Sequence, residues 1–359
     1  MTEFKNKEFF QLFDSLDENF DAILISDLKA LKYYINLTLT AGVLLITKPR
    51  AFLFVDFRYF ETAKKQVKTC EVVLFSNLRK QLGSFFCQKK CSRIAVASDG
   101  MSVKSFFNYV NWFKEVEFVL SDELDRAIAK QRAIKNRQEI EKIAAAQKIT
   151  DWVFSEILNF IKPGVCEIEI AREINSLICK KADSIAFETI VVSGSRTSLP
   201  HGRPSSKPLE AGDLVIMDFG AVVGGYCSDM TRTVCLKNVD RFKKEVYEIV
   251  LAAQELALKE ITAGVVCSDV DLKVRSYFKT FGFEKEFGHS LGHGVGLNCH
   301  EQPFLSSKSE HIIQSGAVVT VEPGLYFENN FGVRIEDMVL VQQDGIFNFT
   351  ASSKNFICL

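Results

Sequence analysis

The sequence predicts an α+β protein of two domains, because of its length and of two different patterns along the chain. Its 359 residues are too many for one typical domain and suit two. The first third alternates short apolar runs with segments of helical spacing, which is the pattern of a small α/β domain. From about Glu188 the apolar runs lengthen, turn signals and glycines increase, and all five histidines occur. We therefore expect two domains, residues 1–125 and residues 126–359.

Strands and helices are expected to alternate in the first domain. Two segments, 58–67 and 102–115, have helical spacing, and in the second the apolar residues recur from Val103 to Phe113 at three- and four-residue steps. Short runs rich in Val, Ile, Leu and Phe have the length and composition of buried strands. These runs are residues 21–26, 41–47, 51–56, 71–76 and 93–98.

A pair of helices is expected to open the second domain. Residues 136–164 carry an apolar stripe at helical spacing, and Pro163 and Gly164 should end that helix. A second helix is predicted over residues 167–182, after this stop signal.

The composition argues against several kinds of partner. The chain has 47% hydrophobic and 25% charged residues, with 44 basic against 45 acidic side chains, which disfavours a nucleic-acid or membrane-surface partner. Its apolar runs are far too short to span a membrane, and "MTEFKNKEFF" at the start lacks the features of a signal peptide. Ten cysteines without a CxxC spacing fit reduced thiols. We expect a cytoplasmic protein.

Three of the five histidines lie within "GHSLGHGVGLNCHE", residues 288–301. His289 and His293 have the four-residue spacing of a helical HExxH zinc site, but Ser290 stands where that motif needs glutamate, and the four glycines disfavour a helix. A phosphate-binding GxGxxG loop is also excluded, because Leu297 replaces its third glycine. The stretch is therefore interpreted as a loop or strand whose glycines permit close approach and whose histidines face a site.

Two pairs of acids are placed to meet these histidines. A hairpin that turns at Gly224 and Gly225 puts Asp218 opposite Thr231, with Asp229 on the same face of the sheet. Buried carboxylates this close repel each other unless a cation is present.

The second pair, Glu322 and Glu336, lies almost symmetrically about the turn-rich residues 328–332. Oxygen-rich ligation with a single imidazole suits Mn, Co, Fe or Zn. Four carboxylates suit two metal ions better than one, and a two-metal centre performs hydrolytic chemistry.

The ordered set of motifs "MDFGA", "SDMTRT", "GHSLGHGVGL", "TVEPGLY" and "RIED" resembles the pita-bread metallopeptidases. That family includes methionine aminopeptidase, aminopeptidase P, prolidase and the metal-free creatinase. The resemblance covers residues 126–345, and the first 125 residues resemble the creatinase-type N-terminal domain, which methionine aminopeptidases lack. It implies an α+β fold in which a small α/β creatinase-type domain precedes a pita-bread catalytic domain, an α/β unit with two-fold pseudo-symmetry, and it implies a homodimer.

The resemblance also implies a role for each candidate residue. Asp218 would chelate one divalent metal ion, His293 and Glu322 the other, and Asp229 and Glu336 would bridge the two. Mn is the expected metal, with Co or Zn as alternatives. A metal-bridging hydroxide would attack the scissile carbonyl, with Glu322 as the proton shuttle.

The remaining candidates would meet the substrate, a small proline-containing peptide. His201, in "PHGRP", would contact the substrate or stabilise the intermediate. His289 and His300 would line the proline subsite and the scissile carbonyl. Arg334 would either support the metal ligands or meet the carboxylate of the substrate.

Several functions remain open on the sequence. We expect an Xaa-Pro aminopeptidase, with a prolidase that cleaves Xaa-Pro dipeptides as the alternative. A non-catalytic binding protein or a metal-free creatinase-like hydrolase would be expected to have lost metal ligands, and all five are present here. Where the family usually has a motif like "YLTGF", this chain has "YYINLTLT", residues 33–40. That segment often lies near the active-site entrance of a neighbouring subunit, so the preferred substrate length does not carry over.

Overall fold

The structure is a computed structural model that describes residues 7–359. Residues 1–6, which begin the stretch without signal-peptide features, lie outside the described residues. The chain separates into two compact units, with the division between Arg132 and Ala133. The boundary expected at 125/126 falls inside a helix, Asp122–Ala133, that the sequence reading had not assigned.

The first unit contains one mixed sheet with helices along the chain between its strands. The strand order is β4-β3-β2-β1-β5-β6, with β1–β2 and β2–β3 antiparallel and the other pairs parallel. Its helices are α1 (Lys7–Asp14), α2 (Leu28–Ile35), α3 (Phe57–Gln66), α4 (Leu78–Lys89), α5 (Val103–Trp112) and α6 (Asp122–Ala133). Its strands are β1 (Ala22–Ile25), β2 (Val43–Thr47), β3 (Ala51–Val55), β4 (Glu71–Leu74), β5 (Arg93–Val96) and β6 (Glu117–Leu120).

The five predicted strands and the two predicted helices of this unit are therefore confirmed. Strands β1, β2 and β3 are buried along their whole length, as their unbroken apolar runs require. Strand β6, "EFVL", was not predicted; it lies at the sheet edge and begins with an exposed glutamate.

The second unit repeats one arrangement, a pair of helices followed by antiparallel strands. Helix α7 begins at a capping box in which Asn136 and Glu139 each accept the other's backbone N–H. It ends at Ile157 rather than at Pro163, and residues 158–160 form a turn between the helix and that proline. The helices are α7 (Arg137–Ile157), α8 (Glu167–Cys179), α9 (Arg241–Glu260) and α10 (Cys267–Lys279).

The strands of this unit form four small sheets, in the orders β12-β9-β8, β11-β10-β7, β14-β13-β15-β18-β19 and β16-β17. The strands after α8 are β7 (Ser184–Ile185), β8 (Ile190–Ser193), β9 (Leu214–Phe219), β10 (Ala221–Val223), β11 (Tyr226–Cys227) and β12 (Met230–Cys235). Those after α10 are β13 (Gly292–Gly294), β14 (Glu301–Leu305), β15 (Val318–Val321), β16 (Gly324–Phe327), β17 (Phe331–Arg334), β18 (Asp337–Gln342) and β19 (Gly345–Asn348).

Each helix pair buries its apolar face against the sheet that follows it. Val153 of α7 and Ile174 of α8 are fully buried in one cluster with Met217 of β9. The pair α9 and α10 forms a second cluster with strands β15 and β18. Among residues 7–359, no helix combines the length and the apolar character needed to cross a membrane.

The predicted hairpin has the predicted register. Thr231 lies opposite Asp218, and the chain turns at Gly224 and Gly225, whose φ angles of 58° and 89° suit a two-residue hairpin turn. Before the turn the chain passes so close to its return strand that a Cβ on Gly220 would lie 1.9 Å from the Ser228 carbonyl oxygen. Only glycine fits there.

The second pair of acids also lies as predicted. Val321 pairs with Asp337 in the ladder of β15 with β18, and Gly324 pairs with Arg334 in the ladder of β16 with β17. The pairing of the two chain segments keeps the same register from the first ladder to the second. Glu322 and Glu336, which lie between the two ladders, are therefore opposite each other.

Candidate metal centre and substrate cavity

One cavity of the second unit, of about 550 Å³, brings together all the residues that the sequence singled out. It lies where the strands of the two helix–sheet halves meet. The candidate residues on its wall are His201, Asp218, Asp229, His289, His293, His300, Glu322, Arg334 and Glu336.

Acids surround one imidazole at the base of this cavity. Asp229, His293 and Glu336 each offer a ligand atom, and these atoms all lie within 4.8 Å of one another. The Nε2 atom of His293 is 3.2 Å from Oε1 of Glu322 and 3.7 Å from Oδ2 of Asp229. The three clustered side chains are almost inaccessible to solvent, and a buried acidic cluster with one imidazole is the donor set of a divalent metal site.

Strand β13 fixes the direction of the His293 ring. Its Nδ1 atom lies 3.1 Å from the carbonyl oxygen of Gly294, so this nitrogen carries the proton and Nε2 is left facing the acids. The backbone N–H of His293 donates to Oγ1 of Thr320, 3.0 Å away in β15. Gly292 allows this approach, because a Cβ there would lie 2.1 Å from the Thr320 carbonyl oxygen.

The buried oxygen atoms fit metal ions. Oδ1 of Asp218 and Oε1 of Glu336 are buried and have no hydrogen-bond partner among the described residues. Burial raises the pKa of Asp218, against the opposing charge of Arg334. Burial and the neighbouring carboxylates raise the pKa of Asp229 and of Glu336 well above their usual range. Unpaired acceptors and carboxylates that resist ionisation are the expected state of ligands that bind cations.

His293 and Glu322 behave as an ion pair within this cluster. Burial alone would lower the pKa of His293, but its hydrogen bond to Glu322 and the nearby negative charges raise that pKa to about 9. Burial alone would raise the pKa of Glu322, but the same hydrogen bond and the His293 charge lower it to about 2. A metal ion at Nε2 needs the neutral imidazole, so it would replace the proton of this pair.

Arg334 makes four hydrogen bonds to other protein groups. It donates to Oδ2 of Asp218 at 2.7 Å, to the hydroxyl of Tyr326 at 2.8 Å, to Oγ1 of Thr231 at 3.0 Å and to the carbonyl of Pro200 at 3.2 Å. Four of the five N–H donors of a guanidinium are thus used, and its charge is paired with Asp218. Of the two roles expected for Arg334, the structure favours support of the metal ligands over contact with a substrate carboxylate.

Each acid of the cluster also accepts a hydrogen bond from a neutral side chain. Thr231 donates to Glu336 at 2.7 Å, Thr320 to Glu322 at 3.2 Å, and the thiol of Cys299 to Asp229 at 3.0 Å. These three supporting residues were missed in the sequence. The hairpin register, which puts Thr231 opposite Asp218, could have identified Thr231. The contacts of Thr320 and Cys299 with the acids are not marked by any sequence motif.

The four histidines on the cavity wall differ in what they can offer a substrate. Nδ1 of His289 lies 2.8 Å from the Ser290 carbonyl, and its Nε2 lies 3.1 Å from the Tyr326 hydroxyl, so both ring nitrogens are used. His293 is used by Gly294 and the acids. Within residues 7–359, the ring nitrogens of His201 and His300 have no hydrogen-bond partner, so these two are available to a substrate.

The state of the His300 ring follows from its surroundings. Its centroid lies 4.0 Å from that of His293. Partial burial, reinforced by the charge of His293, lowers the pKa of His300, so its imidazole is neutral near pH 7 and can donate or accept a hydrogen bond.

The rest of the wall was not predicted. Phe187, Ile190 and Phe304 provide an apolar surface, and Arg203 and Glu188 form an exposed ion pair at 3.3 Å. Phe187 and Glu188 lie in a loop and no periodic pattern marks them, which explains why sequence reading missed them.

Comparisons with known proteins assign the chain that forms this cavity to a known family. Residues 141–343 match the model of metallopeptidase family M24, and residues 16–134 match the creatinase/prolidase N-terminal domain. The chain belongs to metallopeptidase family M24. These matches confirm the family that the ordered motifs had indicated and the predicted combination of a creatinase-type domain with a catalytic domain.

Relatives and solved structures agree along almost the whole chain. An Xaa-Pro dipeptidase of Pyrococcus horikoshii is 33% identical over 98% of this chain and 99% of its own. The structure of an Xaa-Pro dipeptidase from Bacillus anthracis has a TM-score of 0.94 and 38% identity, covering 98% of this chain and 99% of that one. An X-Pro aminopeptidase from Thermotoga maritima has a TM-score of 0.88 and 34% identity, covering 95% and 98%. The family uses divalent metal ions, and the acid cluster is where such ions fit.

Proposed function

We propose that this chain is a metal-dependent hydrolase of Xaa-Pro peptides that acts as an aminopeptidase. The observation that carries the proposal is the buried group of acids around His293, at the base of a cavity into which two imidazoles with unused nitrogens also point. Relatives with this fold are named both Xaa-Pro dipeptidase and X-Pro aminopeptidase, which supports the substrate class and leaves the substrate length open.

We assign the metal ligands as the motifs imply. Asp218 would hold one divalent ion, His293 and Glu322 would hold the second, and Asp229 and Glu336 would serve both. When bound, two such ions lower the pKa of water to supply a nucleophile near neutral pH and polarise the carbonyl that it attacks. Mn is the proposed ion, because oxygen donors outnumber the single nitrogen.

The protein groups handle the substrate and its protons. Glu322, a carboxylate at the edge of the acid cluster, is the proposed proton shuttle to the leaving amine. His300 and His201 donate hydrogen bonds to the substrate, and the neutral ring of His300 is suited to the scissile carbonyl. His289, whose nitrogens are used by Ser290 and Tyr326, contributes the flat face of its ring as a wall of the proline subsite.

The charges on the cavity wall favour longer peptides over dipeptides. The free carboxylate of a bound Xaa-Pro dipeptide is best matched by a cation, which makes a charge-assisted hydrogen bond to it. Arg334 is committed to Asp218, and Arg203 is largely exposed and paired with Glu188. Within the described part of the cavity wall, no buried arginine or lysine remains for that carboxylate, whereas the open edge beside Arg203 lets a longer chain continue.

The test compares Ala-Pro with Ala-Pro-Ala on protein stripped of metal and reloaded with Mn(II), Co(II) or Zn(II), with Ala-Ala-Ala as the control peptide. We expect hydrolysis of both proline peptides, a higher kcat/KM for the tripeptide and little cleavage of the control. Faster hydrolysis of the dipeptide would instead identify a prolidase. Lack of turnover with every ion, on protein whose metal content has been measured, would refute the enzyme assignment.

We also propose a homodimer, on the strength of the family resemblance alone. Sedimentation or light scattering of the purified chain should give twice the mass of 40.5 kDa, and a monomeric mass at all concentrations would exclude it.

A further inference from the structure

We infer that Cys235 and Cys358 are an oxidant-responsive pair that forms a disulfide between the end of strand β12 and the last residues of the chain. Their Sγ atoms are 2.8 Å apart, and both cysteines are thiols in this structure. This site is separate from the acid cluster and does not depend on the proposed peptidase activity.

The backbone around the two residues is already held in the position that a disulfide needs. The Cys235 N–H donates to the Ile357 carbonyl at 2.8 Å, and the Leu359 N–H donates to the Cys235 carbonyl at 2.9 Å. These two bonds place Cys358 directly beside Cys235 as its parallel β-bridge partner. Adjacent strands are about 4.8 Å apart, and disulfides join Cα atoms roughly 4.4–6.8 Å apart. The bond can therefore form without moving the chain.

The two thiols differ in access, which sets the order of the chemistry. Cys358 is exposed, whereas Cys235 is buried and donates to the Lys237 carbonyl at 2.8 Å. Burial, together with the neighbouring thiol, raises the pKa of Cys235 to about 12, so Cys358 is the thiol that an oxidant reaches and that reacts first.

The proposed oxidant is hydrogen peroxide, which reacts with the two thiols in two steps. The Cys358 sulfur attacks one peroxide oxygen and the O–O bond breaks. The products are a sulfenic acid on Cys358 and one water molecule. The Cys235 sulfur then attacks the Cys358 sulfur, the S–O bond breaks, and the hydroxyl leaves with the Cys235 proton as a second water molecule. Two thiols are oxidised to one disulfide, and one peroxide is reduced to two water molecules.

The bond would fasten a segment that already covers β12. The carbonyls of Ser352 and Ser353 accept hydrogen bonds from the buried Arg232 side chain, and the Lys237 N–H donates to the Leu359 carbonyl at 2.7 Å. A disulfide between residues so distant in sequence restricts the unfolded chain strongly, so the oxidised protein should resist unfolding better than the reduced protein.

The test treats the folded, full-length protein with hydrogen peroxide and maps its peptides without reduction. We expect one cross-linked peptide pair containing Cys235 and Cys358, lighter by two hydrogen atoms than the reduced pair, and a Tm higher by about 5 °C. The variants Cys235→Ser and Cys358→Ser should each abolish both effects, and Cys87→Ser, at another exposed thiol, should abolish neither.

Two results would overturn the inference. The first is that Cys87, which is exposed, has reacted with peroxide while Cys358 either remains a thiol or is oxidised to the sulfinic acid instead of forming the disulfide. The other is a cross-link map in which Cys235 pairs with another cysteine. Because the readouts are peptide mass and Tm, an inactive enzyme would not affect the outcome.

Discussion

The two halves of the second unit share one framework and carry different chemical groups. Helices α7 and α9 have 21 and 20 residues, and α8 and α10 have 13 each. In both halves a glycine with positive φ, Gly164 or Gly264, lies in the turn between the two helices. In both halves the residue just before the second helix forms an isolated bridge to the later chain, Cys166 to Pro208 and Val266 to Ile312.

The sheets that follow the helices differ. Of the proposed metal ligands, the first half supplies only carboxylates, Asp218 and Asp229, whereas the second half supplies His293, Glu322 and Glu336. The helix pairs thus position two strand edges against each other, and the proposed ligands on the two edges differ in residue type.

One arginine from each half joins the two edges. Arg232 of β12 is buried and donates to Asp337 of β18 at 2.8 Å, and Arg334 of β17 donates to Asp218 of β9 at 2.7 Å. Their environments differ, because Arg334 lines the cavity and Arg232 lies behind it beneath Ser352 and Ser353. We therefore expect the Arg232–Asp337 pair to stabilise the fold and the Arg334–Asp218 pair to support the candidate metal site.

The largest expected effect comes from removing one proposed bridging ligand of either half. Asp229→Asn and Glu336→Gln should each lower kcat/KM for an Xaa-Pro peptide by at least about a thousandfold, since a weakened centre loses several kcal/mol of stabilisation of the transition state. Steady-state kinetics with measured metal content checks this. Glu328→Gln, an exposed acid near the same strands, is the control, and near-normal rates in either ligand variant would refute the bridging assignment.

Metal removal should reveal how strongly the acids of the two halves repel each other. The raised pKa values of Asp229 and Glu336 mean that the folded protein binds protons more tightly than the unfolded chain does. Stability is then present below the ordinary carboxyl pKa and is lost as pH rises. The raised pKa of His293 acts in the same direction as pH approaches about 9. The lowered pKa of Glu322 acts in the opposite direction, because its contribution to stability is present above the ordinary carboxyl pKa and is lost as pH falls toward about 2.

Metal-stripped protein should therefore become less stable between about pH 5 and pH 8. Saturating metal should restore roughly 3–4 kcal/mol, the gain at 100 to 1,000 times the dissociation constant. Denaturant unfolding at several pH values, with and without Mn(II), measures both effects. In Glu336→Gln the stripped protein should be more stable at pH 8 than the stripped wild type, and the opposite order would show that the acids do not repel each other.

The two linking arginines can be separated by matched substitutions. Lysine at position 334 keeps the charge beside Asp218 but loses the forked contacts to Thr231 and Tyr326. We expect Arg334→Lys to lower metal affinity or kcat/KM by about 10–100-fold, the usual effect of removing support from metal ligands.

Arg232→Lys should instead lower the free energy of unfolding, with a much smaller change in metal affinity. Calorimetric titration of metal and denaturant unfolding of both variants give the two readouts. Equal losses of metal affinity in both variants would show that the link behind the cavity matters as much to the site as the one on its wall.

Sequence reasoning recovered the parts of the site that depend on local pairing. Gly224 and Gly225 define the hairpin that places Asp218 opposite Thr231, and near-symmetry about one turn places Glu322 across from Glu336. Parts that depend on contacts distant in sequence could not be recovered. The choice of His293 among three histidines came from resemblance to a family, because spacing alone made the three equivalent.

The role of Arg334 illustrates the same limit. Its position beside Glu336 was readable, but its choice between ligand support and substrate binding depends on Tyr326 and Pro200, which only the folded chain brings to it. The domain boundary expected at 125/126 meets the same limit, since it falls within helix α6. Helix α6 has acids in its first turn and a buried face in the first unit, and neither feature identifies the unit to which a helix belongs.

The smallest effect tests the similarity of the two frameworks. Gly164 and Gly264 have φ angles of 89° and 95°, and a Cβ added at either would meet no atom within 4 Å. Only backbone strain should then oppose a side chain, so Gly164→Ala and Gly264→Ala should each lower the free energy of unfolding by about 1 kcal/mol. Denaturant melts of the two variants measure this, with equal losses and unchanged kcat/KM expected. Unequal losses would mean that the two helix turns are alike in shape but not in the support that the surrounding chain gives them.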